Sequence, residues 1–249
     1  VTQAGGVTTG RDDVTVQPTD IAVPGHTVND VLNTPPSGIP TTGQETITYL
    51  VLGFPGIAQG QLLSQAQWAK QLAPTTIFLW IGNNDALVAV NSGGPAAMTP
   101  VATFTTQITQ LLQYLQANTK AKLIVANIPD VTQVAYLTPG ATVLAEFSAT
   151  SGIPTMQLGL LLGIDPTDLV NAKGIAQISS ILDGSHAGPI DPANKLTSAQ
   201  VITIQQTVTQ YNQAIAAQVT AVGGTLVDAA AALNAVRANP PVLNGTAMA

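Results

Sequence analysis

Apolar runs separated by polar, Gly-rich and Pro-rich stretches predict a series of short strands. Residues 75–81, Thr-Thr-Ile-Phe-Leu-Trp-Ile, are continuously apolar after two threonines, which is typical of a strand buried on both faces in a parallel sheet. Residues 122–126 and 225–228 predict two further buried strands, and the run 20–25 predicts another that ends in a tight Pro-Gly turn. Residues 46–52 are β-branched and apolar, so they too could form a strand.

Other segments show helical spacing. Residues 61–72 have a helix-forming composition, and Thr99-Pro100 is a typical helix start. The apolar positions that follow share one helical face: Phe104, Ile108, Leu111, Leu112 and Leu115. A capping box at residues 197–200 predicts the start of a long amphipathic helix. Strands alternating with helices at these lengths predict βαβ units, and hence a three-layer α/β/α sandwich with a mostly parallel sheet.

The length and composition limit the classes of function. We interpret residues 1–249 as a single domain, in which residues 1–19 form a loop with at most one short strand. Charged residues are only 8% of the chain against a typical ~25%, and the net charge is −6 without a basic cluster, which argues against nucleic acid as a partner. With no Cys and two His, the sequence offers little for a metal site, and we predict none. No apolar run predicts a transmembrane segment. The low charge suits an exported protein, secreted, periplasmic or at the cell surface.

Candidate chemistry lies at the predicted strand ends, because ligands of open α/β sheets bind beyond the carboxyl ends of the strands. Three such ends carry polar residues, at 24–26, 82–85 and 127–130. Gly82 allows a sharp turn directly after the strongest strand, and two amides and a carboxylate follow it. An isolated Asn-Asn-Asp is also typical of a turn with Asx caps. Its position after the most apolar strand makes a functional role at least as good an interpretation.

These segments resemble a known family. Residues 78–85, Phe-Leu-Trp-Ile-Gly-Asn-Asn-Asp, are similar to the Gly-x-Asn-Asp block of the SGNH hydrolases, also called GDSL esterases or lipases. Residues 20–30 resemble the second block of that family, and residues 125–130 and 195–228 resemble one bacterial branch of it. The resemblance covers roughly residues 20–240 in consistent order. It implies an SGNH or flavodoxin-like fold and hydrolysis of a small-molecule or lipid ester by acyl transfer, with no cofactor.

The resemblance also implies site residues. The Asn84 side chain and the Gly25 backbone amide match the two groups that donate hydrogen bonds to the oxyanion in this family. We assign Asp85 to holding the turn that aims Asn84. Donors of this kind lower the barrier because charge develops on the carbonyl oxygen in the transition state.

The chain departs from the family pattern at two essential blocks. The nucleophile of the family lies in a Gly-Asp-Ser-Leu block on the first strand, upstream of the Gly25 block, and residues 1–19 contain no Ser. The closing Asp-x-x-His-Pro block, which follows the strand matching residues 225–228, is not found either. Because the chain also begins at Val1, we interpret it as an internal fragment, inactive alone and without its first strand. The neighbours of that strand should then be uncovered.

Two other interpretations stay open. Asp183 and His186 have the Asp-x-x-His spacing and could serve an unrecognised Ser, but this segment precedes the capping box, and we take the match as coincidental. His26 could face the crevice, although we interpret it as a solvated loop histidine without a function. The alternative function is a non-catalytic exported binding or surface module on the same fold.

Overall fold

The computed structural model describes residues 13–240 and the residue pairs 3–4, 7–8, 242–243 and 246–247. The helices are α1 Val28–Asn33, α2 Gly43–Leu52, α3 Gln65–Leu72, α4 Asn83–Ser92, α5 Val101–Asn118, α6 Gly140–Ser151, α7 Thr155–Leu162, α8 Ala172–Leu182, α9 Ser198–Ala221 and α10 Ala229–Ala238. The strands are β1 Gln3–Ala4, β2 Val7–Thr8, β3 Thr76–Trp80, β4 Lys122–Ala126, β5 Leu137–Pro139, β6 Leu169–Asn171, β7 Lys195–Leu196, β8 Thr225–Val227, β9 Val242–Leu243 and β10 Thr246–Ala247.

The chain divides into two compact units. The first unit consists of Val1–Asn84, Ala102–Asn127 and Gln213–Ala229, and the second consists of Asp85–Val101, Ile128–Asn212 and Ala230–Ala249. The prediction of a single domain over residues 1–249 stays a prediction, and the two units are described separately.

The first unit contains the parallel sheet that the sequence predicts. β3 pairs with β4 and β4 pairs with β8, all parallel, in the order β3-β4-β8. The protein is therefore of the α/β class, with a small sheet flanked by helices, consistent with a three-layer α/β/α sandwich. The second unit has its own antiparallel sheet, in the order β5-β6-β7.

Two predicted helices, α5 and α9, are confirmed. All five apolar residues predicted to share one face of α5 are buried. The capping box before α9 also forms: the Thr197 backbone N–H donates to Gln200 Oε1 over 2.8 Å, and the Gln200 N–H donates to the Thr197 hydroxyl over 3.3 Å. Each of these bonds satisfies an amide that the first turn of a helix would leave without a partner.

The strand predicted over residues 46–52 is wrong, because these residues belong to helix α2. Thr42 caps this helix, and its hydroxyl accepts the Glu45 N–H while the Glu45 carboxylate accepts the Thr42 N–H. Thr48 and Leu52 are buried four residues apart, which is the helical and not the strand period. The Thr42 cap and the burial of Thr48 and Leu52 therefore favour a helix more strongly than the β-branched composition favours a strand.

Three further predictions need correction. Residues 20–25 form no strand, although the predicted turn exists, with Gly25 at a φ of +86°. The helix predicted from residue 61 begins at Gln65, because the Ser64 hydroxyl caps it. Within residues 1–19, of which part lies outside the described residues, two two-residue strands pair instead of one at most.

The burial predicted for strand β3 on both faces is wrong. Phe78 is 79% exposed and Trp80 is 55% exposed. In the parallel register Trp80 lies level with Ala126 and Val227, and Val227 of β8 is also exposed. Among the described residues β3 pairs only with β4, so it is an edge strand.

The helices of each unit pack around apolar clusters. In the first unit Val23, Leu52 and Trp68 form a buried cluster, and the Trp68 indole N–H donates to the Leu52 carbonyl over 2.9 Å. This cluster fixes helices α2 and α3 against the segment before the Gly25 turn. The second unit has a larger cluster from α6, α7, α8 and their connections: Val143, Leu144, Leu158, Leu162, Ile164, Val170, Ile178, Ile181 and Ile190.

We predict that Leu52→Ala lowers the free energy of unfolding by about 2–5 kcal/mol, because a fully buried Leu leaves a cavity when truncated. Leu62→Ala is the matched control, since Leu62 is 45% exposed, and it should cost less than about 1 kcal/mol. Urea denaturation measures both variants. Equal losses would contradict the placement of Leu52 in the core.

Candidate functional site

A cavity of about 760 Å³ lies in the first unit, within the size range of small-molecule sites. It is lined by residues 19–23, by residues 74–81, which include β3, and by apolar side chains of α3. Because consecutive residues of β3 point to opposite faces and all of them line the cavity, the cavity runs along the edge of the strand that β4 does not occupy. Asn83, Asn84 and His26 add polar groups to a mainly apolar lining.

The Gly25 turn requires a glycine. Gly25 has a φ of +86°, and a Cβ at this position would lie 2.4 Å from Gln44 Oε1. Gln44 is held over the turn because its Nε2 donates to the Pro24 carbonyl over 2.8 Å. Gly25 is exposed, and no acceptor for its backbone N–H is found within the described part of the chain. This amide is available to a ligand.

Asn84 reaches the same turn from a position 59 residues further along the chain. Its Nδ2 donates to the carbonyl of His26, the residue after Gly25, over 2.8 Å. A primary amide carries two N–H donors, so one remains for another acceptor. The structure therefore brings both residues predicted as oxyanion donors to one turn.

The strand and the turn after it set the position of Asn84. β3 ends at Trp80, and Gly82 has a φ of +98°, which a residue with a side chain rarely adopts. Helix α4 begins at once with Asn83. The sharp turn predicted at Gly82 is thus confirmed, and it directs the first residues of α4 to the end of the cavity.

Asp85 follows Asn84 in the chain and belongs to the second unit. It is buried, its carboxylate accepts the Thr99 hydroxyl over 2.7 Å, and its carbonyl accepts the Thr99 N–H over 3.2 Å. The Tyr211 hydroxyl donates to the Thr99 carbonyl. Burial and the negative charge of Asp85 raise the pKa of the Tyr211 phenol far above its ordinary value, so the phenol stays a donor. Within the second unit these contacts join Asp85 to the segment before α5. The role predicted for Asp85 in aiming Asn84 stays a prediction.

His26 is not the solvated loop histidine of the sequence interpretation, because only 2% of it is exposed. Its Nδ1 lies 2.7 Å from Gln65 Oε1 and its Nε2 lies 3.0 Å from the Thr48 hydroxyl. Both ring nitrogens are therefore engaged, and His26 joins α2 and α3 to the Gly25 turn. This arrangement suits a structural residue and not a general base, which needs a free nitrogen.

Asp30 fixes the backbone directly after His26. Its carboxylate accepts the Thr27 N–H over 2.9 Å and the hydroxyls of Thr27 and Thr34 over 2.7 Å each. Partial burial raises the pKa of the Asp30 carboxyl, but these hydrogen bonds and nearby His26 outweigh it, so the net pKa lies below its ordinary value. Sequence reasoning missed this carboxylate as a positioning group, although a Thr three residues before an Asp is a capping signal.

The carboxyl edge of the sheet carries a polar chain that the sequence did not single out as a unit. The Trp80 indole N–H donates to the Asn127 carbonyl over 3.1 Å, and Asn127 Nδ2 donates to Asp228 over 2.8 Å. These residues end or follow the three strands. Asp130, also a candidate by position, lies in the second unit, where its carboxylate caps the turn at 131–133 and accepts Gln205 over 2.8 Å.

Asp183 and His186 do not meet in the structure. The Asp183 carboxylate accepts the Ser185 N–H over 2.9 Å, and the Ser185 hydrogen bonds lower the pKa of this exposed carboxyl. His186 Nε2 lies 2.9 Å from Gln177 Nε2. No hydrogen bond joins the two residues within the described segment, so the dyad geometry is not formed there.

The described lining of the cavity contains no Ser, and three of its residues are threonines (Thr19, Thr75 and Thr76). Within residues 13–240 and the short strands, no group of three or more His, Asp or Glu residues is placed to hold a metal ion. No helix of the described chain has the length and the apolar character needed to cross a bilayer. Comparison of the chain with protein-family models, with curated proteins and with solved structures gives no match.

We predict that Asp30→Asn destabilises the protein by about 1 kcal/mol at pH 7, the usual value of a capping contact. Because the folded state lowers the pKa of Asp30, the carboxylate stabilises the fold above its ordinary pKa of about 3.9. That stability is lost as the pH falls through the lowered pKa. The difference between the variant and the unmodified protein should therefore shrink below about pH 4 in urea denaturation.

The neighbouring substitution Asn29→Ala is the control, since it removes a polar contact to Asn33 on the same helix without removing a charge. Its effect should be the same at pH 7 and pH 3. A constant Asp30→Asn difference across this range would show that the carboxylate does not act through its charge.

Proposed function

We propose that this chain supplies the oxyanion-binding part of a serine hydrolase that cleaves carboxylic esters by acyl transfer. The main support for this proposal is the 2.8 Å hydrogen bond from Asn84 Nδ2 to the His26 carbonyl, which holds the Asn84 amide at the Gly25 turn. Asn84 lines the cavity and has a second N–H to donate, and the Gly25 N–H, for which no acceptor is found in the described chain, lies at the turn that Asn84 contacts. Preorganised donors of this kind stabilise a developing oxyanion without reorganising in the transition state.

The proposed reaction follows acyl-transfer chemistry. A Ser hydroxyl attacks the ester carbonyl while a His, oriented by an Asp, takes its proton. The ester C–O bond then breaks, and the alcohol leaves with that proton from the His. Water, activated by the same His, cleaves the acyl-serine and releases the carboxylic acid. The residues of this chain bind the carbonyl oxygen through Gly25 and Asn84, and the aliphatic lining of the cavity receives the apolar part of a small-molecule or lipid ester. We further propose that the protein acts outside the cytoplasm, as its low content of charged residues suggests.

We propose that the nucleophile and its base are residues outside residues 1–249. His26 has both ring nitrogens engaged, and no hydrogen bond joins Asp183 to His186 in the described chain. By resemblance to the SGNH hydrolases, the Ser would precede the Gly25 block and the Asp and His would follow β8. On this proposal residues 1–249 alone bind the substrate carbonyl but do not turn it over.

A second candidate function is a non-catalytic binding module. The absence of Ser from the described cavity lining favours it, together with the engaged ring of His26. The apolar cavity and the two amides would then recognise a carbonyl-bearing ligand without cleaving it.

We predict that Asn84→Ala lowers kcat about 10²–10³-fold in the full product of the gene that encodes this chain, because one oxyanion donor is lost. The thermal midpoint should barely change, since Asn84 is only half-buried. Hydrolysis of a p-nitrophenyl ester measures the rate. Asn83→Ala is the matched control, as Asn83 also lines the cavity and is also half-buried, and it should keep kcat within about threefold. An unchanged kcat in Asn84→Ala would remove Asn84 from the site.

A serine-reactive phosphonate separates the candidate functions. We expect it to label the full gene product on a Ser outside residues 1–249, and to leave residues 1–249 alone unlabelled. No labelling of either protein would support the binding module. Labelling of a Ser within residues 1–249 would contradict our assignment and favour the hydrolase that uses Asp183 and His186.

A further inference from the structure

The turn that carries Gly25 is a type II β-turn. The His26 N–H donates to the Val23 carbonyl over 3.2 Å, which closes a four-residue turn with Pro24 and Gly25 at its two central positions. Pro24 excludes the types I′ and II′, because both need a positive φ at the second residue and the proline ring holds φ at about −65°. The φ of +86° at Gly25 then identifies type II, since a type I turn has a negative φ at its third residue.

The same four residues can form a second turn. A type I turn keeps both ends and the closing hydrogen bond, and it accepts Pro at the second position. It differs from type II by a rotation of roughly 180° of the central peptide, which here joins the Pro24 carbonyl to the Gly25 N–H. Because the C=O and N–H of a trans peptide point in opposite directions, this rotation exchanges their places. The type of turn therefore decides where the Gly25 N–H points.

The ends of the turn are anchored whichever way the central peptide points. Val23 belongs to the buried apolar cluster of the first unit. His26 is buried with both ring nitrogens engaged, and its carbonyl accepts Asn84 Nδ2. Pro24 and Gly25 are both exposed. Packing thus fixes the ends of the turn and leaves the orientation of the central peptide to hydrogen bonding.

The side chain of Gln44 holds this central peptide. Gln44 lies in the first turn of α2, and its Nε2 donates to the Pro24 carbonyl over 2.8 Å. A Cβ on Gly25 would collide with the Gln44 amide, so this amide lies directly over the turn. Among the described residues no other hydrogen bond reaches the Pro24 carbonyl or the Gly25 N–H. Since the carbonyl points to Gln44, the N–H of the same peptide points away from it.

We infer that Gln44 is a positioning residue that selects the type II form of this turn and thereby aims the Gly25 N–H. The consequence for catalysis rests on the proposed function, in which this N–H donates to the oxyanion, but the selection of the turn does not. In the type I form the Pro24 carbonyl would point where the N–H now points, and a carbonyl oxygen repels an oxyanion.

NMR of residues 1–249 distinguishes the two turns, because the Pro24 Hα lies close to the Gly25 amide proton in type II and farther from it in type I. The unmodified chain should show a strong Overhauser effect between these protons. Gln44→Glu keeps the shape of the side chain but at pH 7 offers acceptors only, so it should repel the carbonyl and accept the Gly25 N–H. The ratio of type I to type II turns should rise at least about tenfold, the effect of about one hydrogen bond.

Three further variants isolate the chemistry of the side chain. Gln44→Lys offers donors only and should keep the type II turn, and Gln44→Ala, with neither group, should lie between the Lys and Glu variants. Thr46→Ala is the matched control on the same helix, because the Thr46 hydroxyl donates to the Thr42 carbonyl within α2, and it should leave the Overhauser effect unchanged. Because Gln44 is exposed in a first turn, where an acidic residue is favourable, α2 should stay folded in the Glu variant.

Esterase kinetics of the full gene product test the consequence for catalysis. Gln44→Glu should lower kcat for a p-nitrophenyl ester at least about tenfold and keep KM within about threefold, because the oxyanion forms only in the transition state. Gln44→Lys should keep kcat within about threefold. A merely structural role of Gln44 in α2 would instead make kcat follow the thermal midpoint of each variant, with no separation of donor from acceptor.

The results separate this inference from the proposed function. A type I turn in the unmodified chain, or a type II turn that persists in Gln44→Glu, would overturn the inference whatever the kinetics show. A type I turn in Gln44→Glu with unchanged kcat would confirm that Gln44 selects the turn and would remove Gly25 from the oxyanion site. A full gene product without esterase activity would contradict the proposed function, and the NMR of residues 1–249 would still decide the role of Gln44.

Discussion

The parallel pairing of β3 with β4 is the interaction on which the candidate site depends. The five-residue register fixes which backbone groups of β3 are bonded and which point into the cavity. It also sets where the strand ends, so that Gly82 can turn the chain and Asn84 can reach the His26 carbonyl. A shift of the register by one residue would exchange the bonded and the outward groups of β3. The polar end of the cavity and its long side along β3 therefore both depend on the hydrogen bonds between β3 and β4.

The polar end of the cavity is rigid for a different reason. His26 lies between α2 and α3 with both ring nitrogens engaged, and Asp30 holds the backbone on its far side. The Gly25 turn is thus supported by two buried or half-buried polar groups, while Gly25 itself stays exposed. A turn held in this way keeps its N–H at a fixed position, which is what any donor to a carbonyl oxygen requires.

The sequence predicted the parts of this arrangement that depend on local patterns. The five-residue apolar face of α5, the capping box at Thr197 and the turns at Gly25 and Gly82 are encoded by neighbouring residues, and all are confirmed. The prediction for residues 46–52 was wrong because their β-branched composition favours a strand. The cap at Thr42 and the burial of Leu52 stabilise a helix there instead. The environment of His26 was beyond local patterns, since its partners Thr48 and Gln65 lie 22 and 39 residues away.

The exposure of β3 shows most clearly what an apolar pattern reports. A continuous apolar run means that a strand is suited to burial on both faces and between two neighbours. It does not mean that the described residues provide both neighbouring strands. Phe78 and Trp80 have the composition of an interior strand and the accessibility of an edge. This mismatch has a physical consequence. Exposed apolar area and an unpaired strand edge both favour association with an extended segment.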